Sequence, residues 1–442
     1  MAVADKMGVA VSVAENFRSF IENLKVSNTD VISNRYGEIT AAINKKFRDS
    51  DSKTANSLQV GSYGRHTAID GISDLDMLYI MPPSSWDDYK DKGQSKLLTA
   101  TKDAIKTRYP NTDVYVDRLV VRVLYADFHV EAQPVFEQED GSFKYPDTYD
   151  GGTWKVTMPR DEIKAISEFN EQKNKNLRRL CKMARSWKNK HGVGMGGLLI
   201  DTLSYNFLRS TTEYDENSFL YYDYMSRDFF KYLSELPDQD YYAALGSGQR
   251  VRVKKKFQKI AKKAYDLCLK AIEAAGKDNE NDKWRKVYGR QFPAMTAGLQ
   301  KATASAVAYR ETEEFVEDRF PVDIRYPITI DCDVSQNGFR EYLLRDILRL
   351  KLPLKPHKTL KFHVVNHEIP GEFRLYWKIL NRGEEAVKRD CVRGQLVMDA
   401  GKLEKSETTT FRGDHIAECY AVQRGVLVAK DRIHVPIDSN AA

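Results

Sequence analysis

The period at which apolar residues recur changes twice along this chain, and that change limits the fold more than any other feature. It is helical first: Phe17, Ile21 and Leu24, then Ile32, Tyr36, Ile39, Ile43 and Phe47 recur three or four apart. Ser27-Asn28-Thr29-Asp30 between the two runs offers an N-cap. Runs rich in Val, Ile, Tyr and Phe follow at Met77–Met81, Val114–Val116, Leu119–Tyr125 and Phe128–Phe136, with a helix expected at about 93–108. Such a mixture predicts an α+β unit over residues 1–160. From 161 to 315 the period is helical throughout, with stripes at Leu177, Leu180, Cys181, Ala184 and Trp187 and at Leu198, Leu199, Leu203, Phe207 and Leu208. A third stripe, Val253, Phe257, Ile260, Ala264, Leu267 and Ala271, places the basic run Arg250–Lys263 on a helix. Beyond Pro321 short strand-like runs and turn pairs take over: Ile324–Asp331, Leu360–Val365, Arg374–Leu380, Gln395–Met398, Glu407–Arg412, Ala417–Gln423 and Val426–Ile433. Asn337-Gly338, Arg382-Gly383 and Arg424-Gly425 are the turn pairs, and only Glu341–Arg349 looks helical. That texture predicts a β-sandwich over 322–442.

Bulk properties narrow the class. The 442 residues are 42% apolar and 30% charged, which is ordinary for a globular chain. No run approaches the ~18–20 apolar residues of a membrane helix, and the N-terminus lacks the apolar core of a signal peptide. The expectation is a cytoplasmic protein without a membrane partner. Five scattered cysteines with no CxxC argue against a disulfide framework and against structural zinc. The net charge of +6 suits an anionic substrate without demanding nucleic acid.

The segment most loaded with chemistry is Gly61-Ser62-Tyr63-Gly64-Arg65-His66-Thr67, followed by Ser73-Asp74-Leu75-Asp76-Met77-Leu78-Tyr79-Ile80. On a strand Asp74 and Asp76 share one face, with Leu75 and Met77 on the other. Adjacent carboxylates repel, so their pairing makes sense around hard cations, and Mg²⁺ (or Mn²⁺) held by carboxylates and substrate phosphates fits. A third acid is expected from a neighbouring strand. Glu131 in Phe128-His129-Val130-Glu131-Ala132-Gln133-Pro134 is the candidate, with the proline closing its strand. Gly61 and Ser62 would let backbone N–H groups and a hydroxyl approach a triphosphate. His129 shares the strand face of Glu131 and either flanks the site or is a satisfied core histidine.

Gly-Ser, a spacer, then Asp-x-Asp resembles the nucleotidyltransferase signature of the polymerase-β superfamily. Ser73 before the dyad, Glu131 to Pro134, and the helix bearing Trp187 narrow the likeness to the bacterial relatives of cyclic GMP-AMP synthase and oligoadenylate synthetase, the CD-NTases of anti-phage signalling. The resemblance spans roughly residues 1–315. It implies a polymerase-β-like core and a helical lobe that closes over it, with Asp74, Asp76 and Glu131 as metal ligands. The implied reaction is template-free synthesis of a cyclic di- or trinucleotide from nucleoside triphosphates, whose product a downstream effector binds. Where such proteins carry a triphosphate-gripping Lys before the tryptophan, this chain has Arg185, with Lys182 one turn earlier. Ser204-Tyr205 matches a Ser-Tyr that lies near the nucleotide. Trp377-Lys378-x-x-Asn381-x-Gly383-x-Glu385-Ala386 and His415-x-x-Glu418-Cys419-Tyr420 resemble the C-terminal domain attached to some of these synthases and implied to sense a ligand. There Tyr376, Trp377 and Tyr420, with Asn381 and His415, would line a pocket for a regulatory ligand, unless the aromatics are sandwich core. The alternatives are an enzyme tailing RNA or tRNA, supported only by the basic run, and a catalytically silent nucleotide sensor. A GxGxxG within Gly192–Gly197 follows a helix rather than a strand, so it reads as an interhelical turn.

Overall fold

The computed structural model describes residues 2–294 and, with short gaps, 314–437. They form two compact units, one of residues 2–190 and 195–294, the other of 314–437 together with 191–194. Among the described residues no helix is long and apolar enough to cross a membrane.

Two helices, α1 (Ala2–Asn23) and α2 (Thr29–Arg48), open the larger unit. Next come β1 (Ser57–Gln59), the single turn α3 (Gly61–Gly64), β2 (Asp74–Ile80), the short α4 (Trp86–Tyr89) and α5 (Gln94–Arg108). Strands β3 (Asp113–Asp117), β4 (Val120–Leu124), β5 (His129–Glu137), β6 (Phe143–Asp147) and β7 (Thr153–Thr157) complete a seven-stranded sheet. Its main path runs β1-β2-β5-β4-β3, with β6 joining β5 to β7. The period of α2 explains where it sits: Ile32, Tyr36, Ile39 and Ile43, spaced 4, 3 and 4, make one stripe. That stripe buries with Leu97, Leu98 and Ile105 of α5 against Leu75, Met77 and Tyr79 of β2. Each such side chain contributes about 1.5–3 kcal/mol by leaving water. The opposite face of β2 carries Asp74, Asp76 and Leu78, and Leu78 joins a second cluster with Val60, Val135 and Phe143.

Helices then dominate: α6 (Pro159–Gln172), α7 (Asn176–His191), α8 (Gly197–Arg209), α9 (Tyr222–Glu235), α10 (Gln258–Ile272) and α11 (Glu280–Tyr288). Leu177, Leu180, Cys181 and Trp187 of the expected α7 stripe are fully buried, and Ala184 is 1% exposed. The GxGxxG lies between α7 and α8, as a turn. Two expectations need correction. The basic run does not lie on one helix: Arg250–Arg252 is a strand, β9, paired with β8 (Tyr241–Ala243), and α10 begins only at Gln258. The alternation Arg250-Val251-Arg252-Val253 has a period of two, which is the strand signal. Pro134 does not close β5, which runs on to Glu137. The antiparallel pairing of β4 with β5 ends at Ala132, so the missing N–H of Pro134 breaks no bond to β4.

The smaller unit holds β10 (Ile328–Ser335), β11 (Tyr342–Leu343), α12 (Leu344–Arg349), β12 (Thr359–His367), β13 (Arg374–Leu380), β14 (Leu396–Met398), β15 (Glu404–Thr408), β16 (Gly413–Gln423) and β17 (Val426–Ile437). They form two four-stranded antiparallel sheets, β11-β10-β12-β15 and β14-β13-β16-β17. One core draws on both: Ile330, Cys332 and Phe362 of the first with Trp377, Cys419 and Ala421 of the second. The expected strand from Ile324 starts at Ile328, just after Pro327, and the helix expected from Glu341 starts at Leu344 because Tyr342 and Leu343 pair with β10. The turns Asn337-Gly338 and Arg382-Gly383, Glu385-Ala386, Cys391 and the end of the Glu407–Arg412 run lie outside the described residues, as does the expected boundary at residue 315.

Candidate functional site

Strands β2 and β5 run parallel, and their register sets Asp74 opposite His129 and Asp76 opposite Glu131. Opposed residues of neighbouring strands point to one face, so four polar side chains converge on the face away from α2 and α5. Ligand atoms of Asp74, His129 and Glu131 all lie within 4.8 Å of one another. Asp76 stands outside that trio, turned toward Gly61. A Cβ built on Gly61 would fall 1.8 Å from Asp76 Oδ2, and Gly61 has φ +63°. Glycine is thus required twice at this position, for backbone conformation and for room.

Neighbouring strands hold Glu131 in place. Arg122 of β4 donates from Nη2 to Glu131 Oε1 at 2.7 Å, while its Nε lies 3.2 Å from Asp117 Oδ2. His129 Nε2 lies 3.2 Å from the same Glu131 oxygen. Ser73 Oγ donates to Asp74 Oδ1 at 3.3 Å. Acids gathered on two adjacent strands, already countered by a guanidinium, form a donor set that suits a divalent cation.

Ser62 sits in α3, and its carbonyl accepts from Thr67 N at 2.9 Å and Ala68 N at 3.1 Å, which folds the loop back on itself. A buried ionic network anchors that loop. Asp201 of α8, fully buried, accepts from Arg65 Nε at 2.9 Å, from Thr67 Oγ1 at 3.0 Å, and from Arg185 Nη1 at 2.5 Å and Nη2 at 3.0 Å. Arg65 also reaches Glu162 of α6 at 3.1 Å. Burial opposes ionisation of Asp201, yet Arg185 and Arg65 hold its pKa below the ordinary carboxylate value. Burial raises the pKa of Glu162, against the pull of Arg65.

The two cations considered for phosphate part company here. Arg185 is buried and directs its guanidinium to Asp201, the Gly197 carbonyl and the Cys181 carbonyl. Lys182 is half-buried, and burial together with the charges of Lys25, Arg178 and Arg185 lowers its pKa. Burial, Arg178 and Lys182 likewise lower the pKa of His66. Lys182 and Arg178 thus stand among like charges beside the loop that follows Gly61-Ser62, an electrostatic deficit that an anion would relieve. Ser204 is fully buried against α7, beside the Cys181 thiol, and does not reach a cleft.

Arg65, Arg178 and Asp201 escaped notice in the sequence. Arg178 is four residues before Lys182, on the same helical face. Asp201 is the one charge in Gly197-Leu-Leu-Ile-Asp-Thr-Leu-Ser, and a lone acid in an apolar helix signals a buried partner.

In the smaller unit Asn381 and His415, 3.0 Å apart, line a cavity of about 50 Å³ with Arg393 and Glu407. The three aromatics do not line it. Trp377 is core, bonded through Nε1 to Asp399 at 3.1 Å, and Tyr376 and Tyr420 belong to a separate cluster with Ile324 and Leu396.

Residues 11–170 match the family model of the Second Messenger Oligonucleotide or Dinucleotide Synthetase (SMODS) domain, and residues 310–438 that of the Adenylyl/Guanylyl and SMODS C-terminal sensor domain. Among curated proteins no sequence matches the chain. Among solved structures, the Escherichia coli MS115-1 CdnC:HORMA-deltaN complex aligns with 63% of this chain and 98% of its own, at 15% identity and a TM-score of 0.50. The Vibrio cholerae cyclic AMP-GMP synthase DncV, with a linear intermediate, aligns over 66% and 90%, at 13% identity and a TM-score of 0.44. The likeness to the first is one of fold.

Proposed function

We propose that this chain, a nucleotidyltransferase that joins a SMODS domain to a C-terminal sensor domain of the adenylyl/guanylyl and SMODS kind, makes a cyclic di- or trinucleotide messenger in anti-phage signalling. The observation that carries the reading is the parallel register of β2 and β5, which brings Asp74, Asp76 and Glu131 to one sheet face next to Gly61-Ser62. Asp74, Asp76 and Glu131 would hold Mg²⁺ or Mn²⁺. Such cations, when bound, make a ribose hydroxyl a better nucleophile and stabilise the leaving pyrophosphate.

The rest of the work falls to the chain. Gly61, without a side chain, lets the donor triphosphate come close to the backbone, and the Ser62 hydroxyl donates to it. Lys182, with Arg178 one turn before it, neutralises phosphate charge as a point cation, while Arg185 fixes α7 to α8 from within. Arg122 keeps one oxygen of Glu131 in place. A hydroxyl of one nucleotide attacks the α-phosphorus of another and the bond to pyrophosphate breaks. A final attack by the terminal hydroxyl of the linear product on the α-phosphorus of its own remaining triphosphate breaks the bond to a last pyrophosphate and closes the ring. The smaller unit does no chemistry in this reading; it biases the transferase by binding a ligand preferentially in one state.

Incubation with labelled ATP, GTP, CTP and UTP and either metal, followed by phosphatase, tests the proposal. Label in a small phosphatase-resistant product is the expected result. Label that appears only when RNA is added would make it a tailing enzyme, and no label at all a silent nucleotide sensor.

A further inference from the structure

We propose that His129 is itself a metal ligand, so that this site prefers Mn²⁺ and other transition-metal dications over Mg²⁺. The proposal rests on the reading that the acids of β2 and β5 hold catalytic cations. It starts from the set of atoms that actually converges. Asp74, His129 and Glu131 bring one ligand atom each to within 4.8 Å of the others, whereas the Asp76 carboxylate is turned to Gly61. The register fixes the imidazole there, since His129 lies directly opposite Asp74 and two residues before Glu131 on the same strand face. Its side chain is buried, and Nε2 stands 3.2 Å from Glu131 Oε1.

A trio with two oxygens and one nitrogen differs chemically from three carboxylates. Mg²⁺ demands near-ideal octahedral oxygen coordination and keeps its waters. Imidazole nitrogen suits the borderline metals, whose affinity for such sites rises from Mn²⁺ through Fe²⁺ and Co²⁺ to Ni²⁺. A histidine placed to donate a nitrogen therefore raises affinity for Mn²⁺ while adding little for Mg²⁺. The competing role is an orienting one, in which Nε2–H only donates to Glu131. That role predicts something else: loss of His129 would weaken both metals alike, as loss of an outer partner does.

The full-length protein, saturated with a non-hydrolysable ATP analogue, is titrated with MnCl₂ followed by electron paramagnetic resonance, and MgCl₂ is measured by competition. Wild type, His129→Gln and Glu131→Gln are compared. Pulsed measurement of nitrogen coupling to bound Mn²⁺, in protein labelled with ¹⁵N-histidine, reports direct ligation apart from any adenine nitrogen. The expected result is a histidine ¹⁵N coupling that disappears in His129→Gln, with the preference for Mn²⁺ over Mg²⁺ falling about tenfold. Absence of that coupling in wild type, or an unchanged preference with both affinities lowered together, would overturn it. If His129→Gln fails to fold, His129→Asn replaces it, and the wild-type coupling still decides whether a histidine ligates. Failure of the underlying reading looks different: Mn²⁺ affinity would then be unaffected by Glu131→Gln.

Discussion

At Gly61 the absence of a Cβ decides whether Asp76 can be where it is. Any Cβ there meets Asp76 Oδ2, and the left-handed φ adds about 1–2 kcal/mol of strain for a non-glycine residue. Gly61→Ala should therefore leave a folded protein, melting slightly lower, whose nucleotide transfer drops about 100-fold, the usual effect of a displacement near 1 Å at a reacting centre. Turnover on saturating triphosphate, beside a thermal melt, checks it. A second residue sets a pH dependence away from the site. Asp223 is buried, and burial, with Glu280 nearby, raises its pKa from 3.8 to about 6. An acid with a raised folded pKa contributes its stability below the unfolded value, and that is lost as pH climbs through the folded one. Stability should fall by on the order of 2–3 kcal/mol between pH 4 and 7 on this account alone. Asp223→Asn should flatten that slope and melt higher than wild type at pH 7.5 in chemical denaturation. At this scale the sequence was informative about which residues matter and silent about their geometry. The DxD pair and Gly61-Ser62 stood out by spacing, but the facing of Asp76 with Glu131 depends on a register between strands some fifty residues apart.

The helix α7 carries two cations three residues apart with opposite fates, and the difference lies in what α8 presents to them. Arg185 meets buried Asp201; Lys182 lies among Lys25, Arg178 and Arg185, with only the weaker counter-pull of Glu22, and beside the His66 loop. Arg185→Ala strips a buried carboxylate of one partner and should cost about 3–5 kcal/mol of stability. Lys182→Ala should melt like wild type but raise the KM for nucleoside triphosphate about tenfold or more, as expected for a lost charged contact. Equal, small effects on KM from both would remove Lys182 from the site. Elements were legible wherever one period held: α5 falls at Gln94–Arg108 and β13 at Arg374–Leu380, as their patterns predict. Legibility failed where two periods overlapped. Val253 and Phe257 happen to sit four apart, so a helical stripe extended backward over a strand, while Arg250 and Arg252 carried the true alternation. Pro134 misled because a proline's cost depends on whether a neighbouring strand needs its N–H, which no single strand reveals.

At the scale of the whole molecule, each unit buries its own core, the larger around Leu75 and Met77 and the smaller around Phe362 and Trp377. A sandwich of this size can fold alone. A chain ending near Arg319 should be soluble and transfer nucleotides at an altered basal rate. Insolubility would refute separability, and an unchanged rate with an unchanged response to cell extract would refute regulation. The sequence conveyed the division of textures because hydrophobic period is a local property. It could not convey the buried network of Arg65, Glu162, Arg185 and Asp201, whose members come from four distant segments. The central claim is that the acids on β2 and β5 make the chain an enzyme that closes a nucleotide ring. Its most direct test compares wild type with the folded double variant Asp74→Asn, Asp76→Asn, for phosphatase-resistant product from labelled triphosphates. The amides keep the shape and lose the charge that holds a divalent cation. The predicted result is cyclic product from wild type and none from the variant at equal circular dichroism and melting behaviour; wild-type turnover by the variant would contradict it.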